Sequence, residues 1–310
     1  MRKKPWIQNC HTLWTNVAIL GLCATLTPPT AALAQSEPLI ARYDVNDLSL
    51  AVAEAKTDQE GTASQRILLV FDIDNTLLTM PQFLGSDQWF NYHAGLISAG
   101  KDTDFSKFEE LIAAQTALFS LASMKPTQDD VGNLIDQANS HGVDVFLLSA
   151  RGPDLYSATK RELSRNRIAF TVPQACSFVI CSLGGSYGDA EIRRAIGAFG
   201  GRPAPSPYRE IVIRDGIMLV SGQDKGTMLR VLLAAIPAGT YKKIIFVDDT
   251  QKNIDSVAAS GIPLTLSLYH YTRVPTAITT KEVEDGKRQW TKFTETACAI
   301  VSAPFCKSKP

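Results

Sequence analysis

The strongest constraint on this chain is a set of short apolar runs that end in polar residues. They are Arg66 to Asp72 (RILLVFD), Val143 to Ser149 (VDVFLLS) and Lys243 to Val247 (KIIFV), the last followed by Asp248 and Asp249. Runs this compact lack the in-out alternation of a half-exposed strand, so they belong to strands covered on both faces. Leu264 to Leu268 supplies another. Helix-forming stretches lie between them, and strands alternating with helices give an α/β fold with a parallel sheet and helices on both faces. The 310 residues leave room for one large domain, or a domain with a small appendage, and show no internal repeat.

Helix formers fill Asp87 to Met124, including Phe108 to Ala122, and Pro126 closes that segment. Thr127 reads as the N-cap of a helix to about Ser140, with Gly142 ending it. Further helices are predicted over Ser157 to Ser164, Gly226 to Ala235 and Gln251 to Ser260, and a strand over Ile168 to Val172. Glu210 to Leu219 reads as a hairpin, because Asp215-Gly216 is a two-residue turn signal between β-branched runs. Residues 35–65 read as an N-terminal extension with a short helix begun near Asp44 or Asn46. Residues 66–310 read as the main domain, with a helical insertion over about 80–126 and an irregular one over about 173–222.

Residues 1–34 have the pattern of a secretory signal: Arg2, Lys3 and Lys4, then apolar Val17 to Leu26, then Ala32-Leu33-Ala34. An apolar run of about ten residues is too short to span a bilayer. Cleavage is expected after Ala34, giving a periplasmic or secreted protein with no membrane segment in the mature chain. Losing three of the 31 basic residues and none of the 31 acidic ones leaves that chain mildly acidic. Without a basic run, nucleic acid is not an expected partner. Cys10 and Cys23 would leave with the signal. An oxidising compartment then favours disulfides among Cys176, Cys181, Cys298 and Cys306, and closeness in sequence suggests Cys176–Cys181 and Cys298–Cys306.

In open α/β sheets, ligands gather at the carboxyl ends of strands. Here those ends carry Asp72-Ile73-Asp74-Asn75-Thr76, then Ser149 and Arg151, and then Asp248 and Asp249 with Asn253 beyond. Lys225 lies before a helix after the hairpin. Phosphate-ester hydrolysis uses these groups. A carboxylate attacks phosphorus, which splits one displacement into two through an acyl phosphate. A second carboxyl protonates the leaving oxygen and later deprotonates water. A hydroxyl and an ammonium hold the phosphoryl oxygens, and a hard divalent cation offsets the repulsion between acids and substrate.

The order and strand contexts of these segments resemble the haloacid dehalogenase (HAD) superfamily. DxDx[TV] is met by Asp72 to Thr76, the strand-end serine by Ser149, the lysine by Lys225 in SGQDKG, and the acidic pair by Asp248 and Asp249 with Asn253. The resemblance implies a HAD-like Rossmannoid three-layer sandwich with a small helical cap, Mg²⁺ as cofactor and a small phosphorylated substrate. It implies Asp72 as nucleophile and metal ligand, Asp74 as acid/base and ligand through its carbonyl, and Asp248 as the remaining ligand. Asp249 and Asn253 would act through waters or by orienting Lys225. Ser149, Lys225, Asn75 and Arg151 would bind phosphate. Members that dehalogenate lack the second acid, so Asp74 favours phosphate chemistry. A phosphotransferase on the same site, or an inactive binding or effector protein of this fold, are the alternatives. The LGSDQWF and SGQDKG segments are also similar to a family of exported bacterial HAD-like proteins. Asp87 to Phe90 and His93 are candidates to line the entrance, with Trp89 and Phe90 alternatively forming the cap's own core. His93, His141 and His270 show no metal-ligand spacing. The sequence sets no oligomeric state.

Overall fold

The computed structural model describes residues 39–61, 65–169 and 185–306, all within the compact unit Glu37–Pro310. In chain order the elements are β1 (Ile40–Val45), α1 (Ser49–Glu60), β2 (Arg66–Phe71), β3 (Leu78–Thr79), α2 (Asp87–Ser98), α3 (Phe108–Leu121), β4 (Lys125–Pro126), α4 (Val131–Ser140), β5 (Asp144–Ser149) and α5 (Tyr156–Arg165). They continue with β6 (Gly185–Tyr187), α6 (Asp189–Ala198), β7 (Ile211–Arg214), β8 (Ile217–Leu219), α7 (Lys225–Ala234), β9 (Tyr241–Asp248), α8 (Gln251–Ala258), β10 (Thr265–Tyr271) and α9 (Thr280–Ala297).

The main sheet has the order β1-β10-β9-β2-β5-β8-β7-β6. Pairing is parallel from β1 to β8 and antiparallel between β8, β7 and β6. The apolar runs explain themselves here. Along β2, Ile67, Leu69 and Phe71 join the side of the core packed with α1, α4 and α5. Leu68 and Val70 join the opposite side, with α6, α7 and α8. Every residue from Ile67 to Phe71 is inward, and each buried Leu, Ile or Phe contributes about 1.5–3 kcal/mol. The chain is thus α/β, with a mostly parallel sheet between two helical layers.

A third core lies outside this sandwich. Trp89 and Phe105 pack edge-on, with ring centroids 5.7 Å apart, and Trp290 of α9 meets both at 5.7 and 5.2 Å. The Cys298–Cys306 disulfide closes the loop after α9, and Phe305 packs on Trp290 at 5.5 Å. The helical insertion is therefore built from two distant chain regions, α2 with α3, and α9. Trp89 and Phe90 belong to this cluster, and Phe90 is only partly buried in it.

Several expectations are corrected. Residues 40–60 are not an appendage to a domain beginning at Arg66. β1 is an edge strand beside β10, and Glu54 of α1 accepts from Lys243 Nζ (2.7 Å), Ser267 Oγ (2.8 Å) and Tyr269 OH (2.6 Å), docking the helix on β9 and β10. Thr127 does not cap α4, which starts at Val131; its hydroxyl donates to the Thr76 carbonyl at 2.6 Å. The later part of 173–222 is regular, since β6, β7 and β8 continue the sheet and α6 is a helix between β6 and β7. The Asp215-Gly216 turn joins β7 to β8 with both residues at positive φ, 49° and 74°. Ile168 and Ala169 are not in a strand; the rest of that expected strand, the expected signal and Cys176–Cys181 lie outside the described residues. Among those described, no helix is long and apolar enough to cross a membrane.

Candidate active site

The register of the two central strands sets the site. Phe71 pairs with Val247, so the residues that follow, Asp72 and Asp248, stand side by side at the carboxyl end, and Asp72 N donates to the Val247 carbonyl at 2.9 Å. Lys225 comes to them from the first turn of α7. Asp224 caps that helix, accepting from Thr227 N at 2.8 Å and from Ser256 Oγ of α8 at 2.5 Å. Gly226 lets the two helices close together, since a Cβ there would stand 2.3 Å from the Ser256 carbonyl oxygen. The Lys225 ammonium, 2% exposed, donates to Asp72 Oδ1 and to Asp248 Oδ2, the latter at 2.6 Å. Asp248 also accepts from Thr250 N at 2.9 Å and from Asn253 Nδ2 at 2.9 and 3.1 Å.

A tight loop carries the second acid. Asn75 adopts φ 59°, a conformation asparagine tolerates, its N–H donates to the Leu78 carbonyl at 2.7 Å, and its Oδ1 accepts from Thr79 Oγ1 at 3.0 Å. Asp74 accepts a two-pronged pair from Arg151, Nε to Oδ2 and Nη2 to Oδ1, both at 2.8 Å. Ser149 is fully buried at the end of β5 and accepts from Arg151 N at 3.3 Å. Asp72, Lys225, Asp248 and Asn253 thus form one bonded group, and Asp74, Arg151 and Ser149 another on the neighbouring strand ends. Asn75 serves the turn. Asp249 contacts Thr250 Oγ1 at 3.3 Å, and its carbonyl lies 3.1 Å from His270 Nε2.

Negative charge dominates here. Burial pushes the Asp72 carboxyl well above the usual carboxylate range against the pull of Lys225, and Asp248 and Asp249 push it further. Burial would lower the Lys225 ammonium, but Asp248 and Asp72 outweigh it and hold it above its ordinary value. Burial and then the Asp248 charge push Asp249 up to about 7. Burial and then the Asp74 charge push Asp87, in the first turn of α2, up to about 6. Asp87 thus feels the charge of the acidic site from the start of α2. Its only signal in sequence was its place in DQWF after the capping Ser86, whose Oγ accepts from Trp89 N.

Residues 43–300 match the family model described as Protein of unknown function (DUF2608). The chain belongs to the DUF2608 family. No curated protein was found to match it.

Three further features of this DUF2608 chain bear on ligands. The aspartates of the acidic site offer hard oxygen donors, the kind that divalent cations such as Mg²⁺ take. His93, Asp102 and Asp104 also offer ligand atoms within 4.8 Å of one another. Their own bonds account for that cluster: His93 Nδ1 lies 2.6 Å from Asp102 Oδ2, and Asp102 Oδ1 accepts from the N–H groups of Asp104 (2.7 Å) and Phe105 (2.8 Å). A groove of about 580 Å³ runs between the antiparallel β3–β4 pair, the first turn of α2 and the chain after β10, with Lys125 and Arg273 among its lining residues.

Proposed function

We propose that this chain is a metal-assisted phosphomonoester hydrolase of the HAD type, with Asp72 as nucleophile. The observation that carries the reading is the buried ammonium of Lys225 between Asp72 and Asp248, three residues from separate strand-end segments, Lys225 standing 153 residues from Asp72. A structural ion pair needs one acid; a buried lysine between two acids, with more carboxylates around it, suits a site that handles a dianionic group and a cation together. When bound, Mg²⁺ would offset the charge of the phosphoryl oxygens; Asp72 and Asp248 would hold it by side chains and Asp74 by its carbonyl.

The chain's own groups supply the remaining steps. Asp72 attacks phosphorus, and the bond to the ester oxygen breaks as that oxygen takes a proton from Asp74. Asp74, now a carboxylate, accepts a proton from water; the water oxygen bonds to phosphorus, and the Asp72–phosphoryl bond breaks to release phosphate. Lys225 donates to the phosphoryl oxygens, and Ser149 lies at the end of the next strand to do the same.

A panel of phosphate esters, assayed with Mg²⁺ and with EDTA, tests this. Wild type should turn over at least one ester only with metal, and Asp72→Asn should lose at least about 10³-fold in kcat. Activity that survives EDTA, or full activity in Asp72→Asn, sinks the reading.

A further inference from the structure

Arg151 stands where three parts of the fold meet. Its side chain is 3% exposed. Nε and Nη2 grip both oxygens of Asp74, a fork geometry that sets the plane of the carboxylate as well as its position. Nη1 donates to Thr159 Oγ1 of α5 at 2.8 Å. The guanidinium carbon lies 4.5 Å from the ring centroid of Phe119 in the last turn of α3, and Nη2 lies 3.1 Å from Met124 Sδ. Leu118 and Phe119 face opposite ways, Leu118 into the aromatic cluster of the insertion and Phe119 into the sheet core. The exit of α3 is tied to α5, where Arg161 donates to the carbonyls of Ser120 (2.8 Å), Phe119 (3.2 Å) and Ala122 (3.1 Å).

We propose that Arg151 is a positioning residue: it fixes the Asp74 carboxylate and takes its own orientation from the root of the insertion through Phe119, so that the placement of Asp74 follows the placement of the insertion. This rests on the hydrolase reading for its catalytic consequence. Four of its five N–H groups already have partners within the fold, so a two-pronged grip on phosphate would cost one of those bonds, and the Asp74 pair is the one that faces the site. Losing the guanidinium should therefore reduce turnover and spare substrate affinity. Phe119, which does not touch Asp74 through any hydrogen bond, should act in the same direction by removing the surface on which the guanidinium lies.

The test compares Arg151→Met, Arg151→Lys, Phe119→Leu, Asp74→Asn and Asp74→Asn/Arg151→Met, with inorganic phosphate as competitive probe. Arg151→Met should lower kcat by about 10²-fold while KM and phosphate inhibition stay within about twofold. Arg151→Lys should recover little, because an ammonium cannot hold both oxygens. Phe119→Leu, which keeps apolar volume, should lower kcat roughly tenfold, and Arg151→Met should add less than about twofold in the Asp74→Asn background. Tenfold weaker KM and phosphate inhibition with kcat kept would make Arg151 a phosphate ligand and overturn the proposal. So would a full further loss on top of Asp74→Asn, or wild-type turnover in Phe119→Leu. If wild type hydrolyses no ester, the hydrolase reading fails by itself, and thermal unfolding decides the pairing: the double variant should melt no lower than the weaker single one, and additive losses refute it.

Discussion

Glu162 is 2% exposed on α5 and works at the base of the insertion. Its Oε2 accepts from Met124 N at 2.7 Å, and its Oε1 from Arg161 at 2.9 Å and Arg165 at 3.3 Å. Burial by itself would raise this carboxyl; the Met124 N–H and the two guanidinium groups outweigh it and hold it below its ordinary 4.5. A carboxylate depressed in the folded state adds stability above its unfolded value and loses it as pH falls through the folded one. Wild type should therefore lose Tm more steeply than Glu162→Gln between about pH 5 and pH 3, and parallel slopes in a melting series would refute this. At this scale the sequence was legible where chemistry is local. Asp72, Asp248 and Lys225 each sit at the end of a run that declares its own strand or helix. Asp87 was legible only as a candidate at the entrance and His270 was given no role, because their positions depend on how α2 and β10 pack. Arg151 was visible as a basic group near a strand end, but only packing turned it toward Asp74.

Among elements, α7 shows most directly how a short signature becomes a site. In SGQDKG, Asp224 starts the helix, Lys225 reaches back into the acids, and Gly226 admits α8. Gly226→Ala would drive a methyl into the Ser256 carbonyl and push the helices apart. It should destabilise the fold by about 1–3 kcal/mol and lower turnover through the displaced neighbour Lys225. Wild-type urea unfolding in that variant would contradict the packing. Strands were readable in proportion to how completely they are buried. β2, β5 and β9 stood out, whereas β1 was missed because only Val45 of its six residues is fully buried. α9 was missed because its inward stripe is dilute, Gly286 and Trp290 alone being buried along 18 residues. Its start was marked all the same, by the reciprocal cap of Thr279 and Glu282.

For the molecule as a whole, the third core depends on the chain's end. The disulfide closes a span of eight residues that carries Phe305 onto Trp290. Cys298→Ser/Cys306→Ser should cost roughly 2–3 kcal/mol on loop-closure grounds. It should also shift the tryptophan emission of Trp89 and Trp290 at temperatures where far-ultraviolet dichroism stays native. Identical melting and emission would show that the aromatic cluster holds Phe305 unaided.

The parallel pairing of Ile40 with Leu266 sets a timetable for synthesis. Among the described strands, the first to emerge from a ribosome has no neighbour until the last one arrives, and β2, which can pair with β5 earlier, still lacks its other neighbour until β9 is made. Contacts between such distant positions form slowly and leave bare strand edges meanwhile. The nascent polypeptide should therefore stay open, and dependent on a holding chaperone, until nearly its whole length is available.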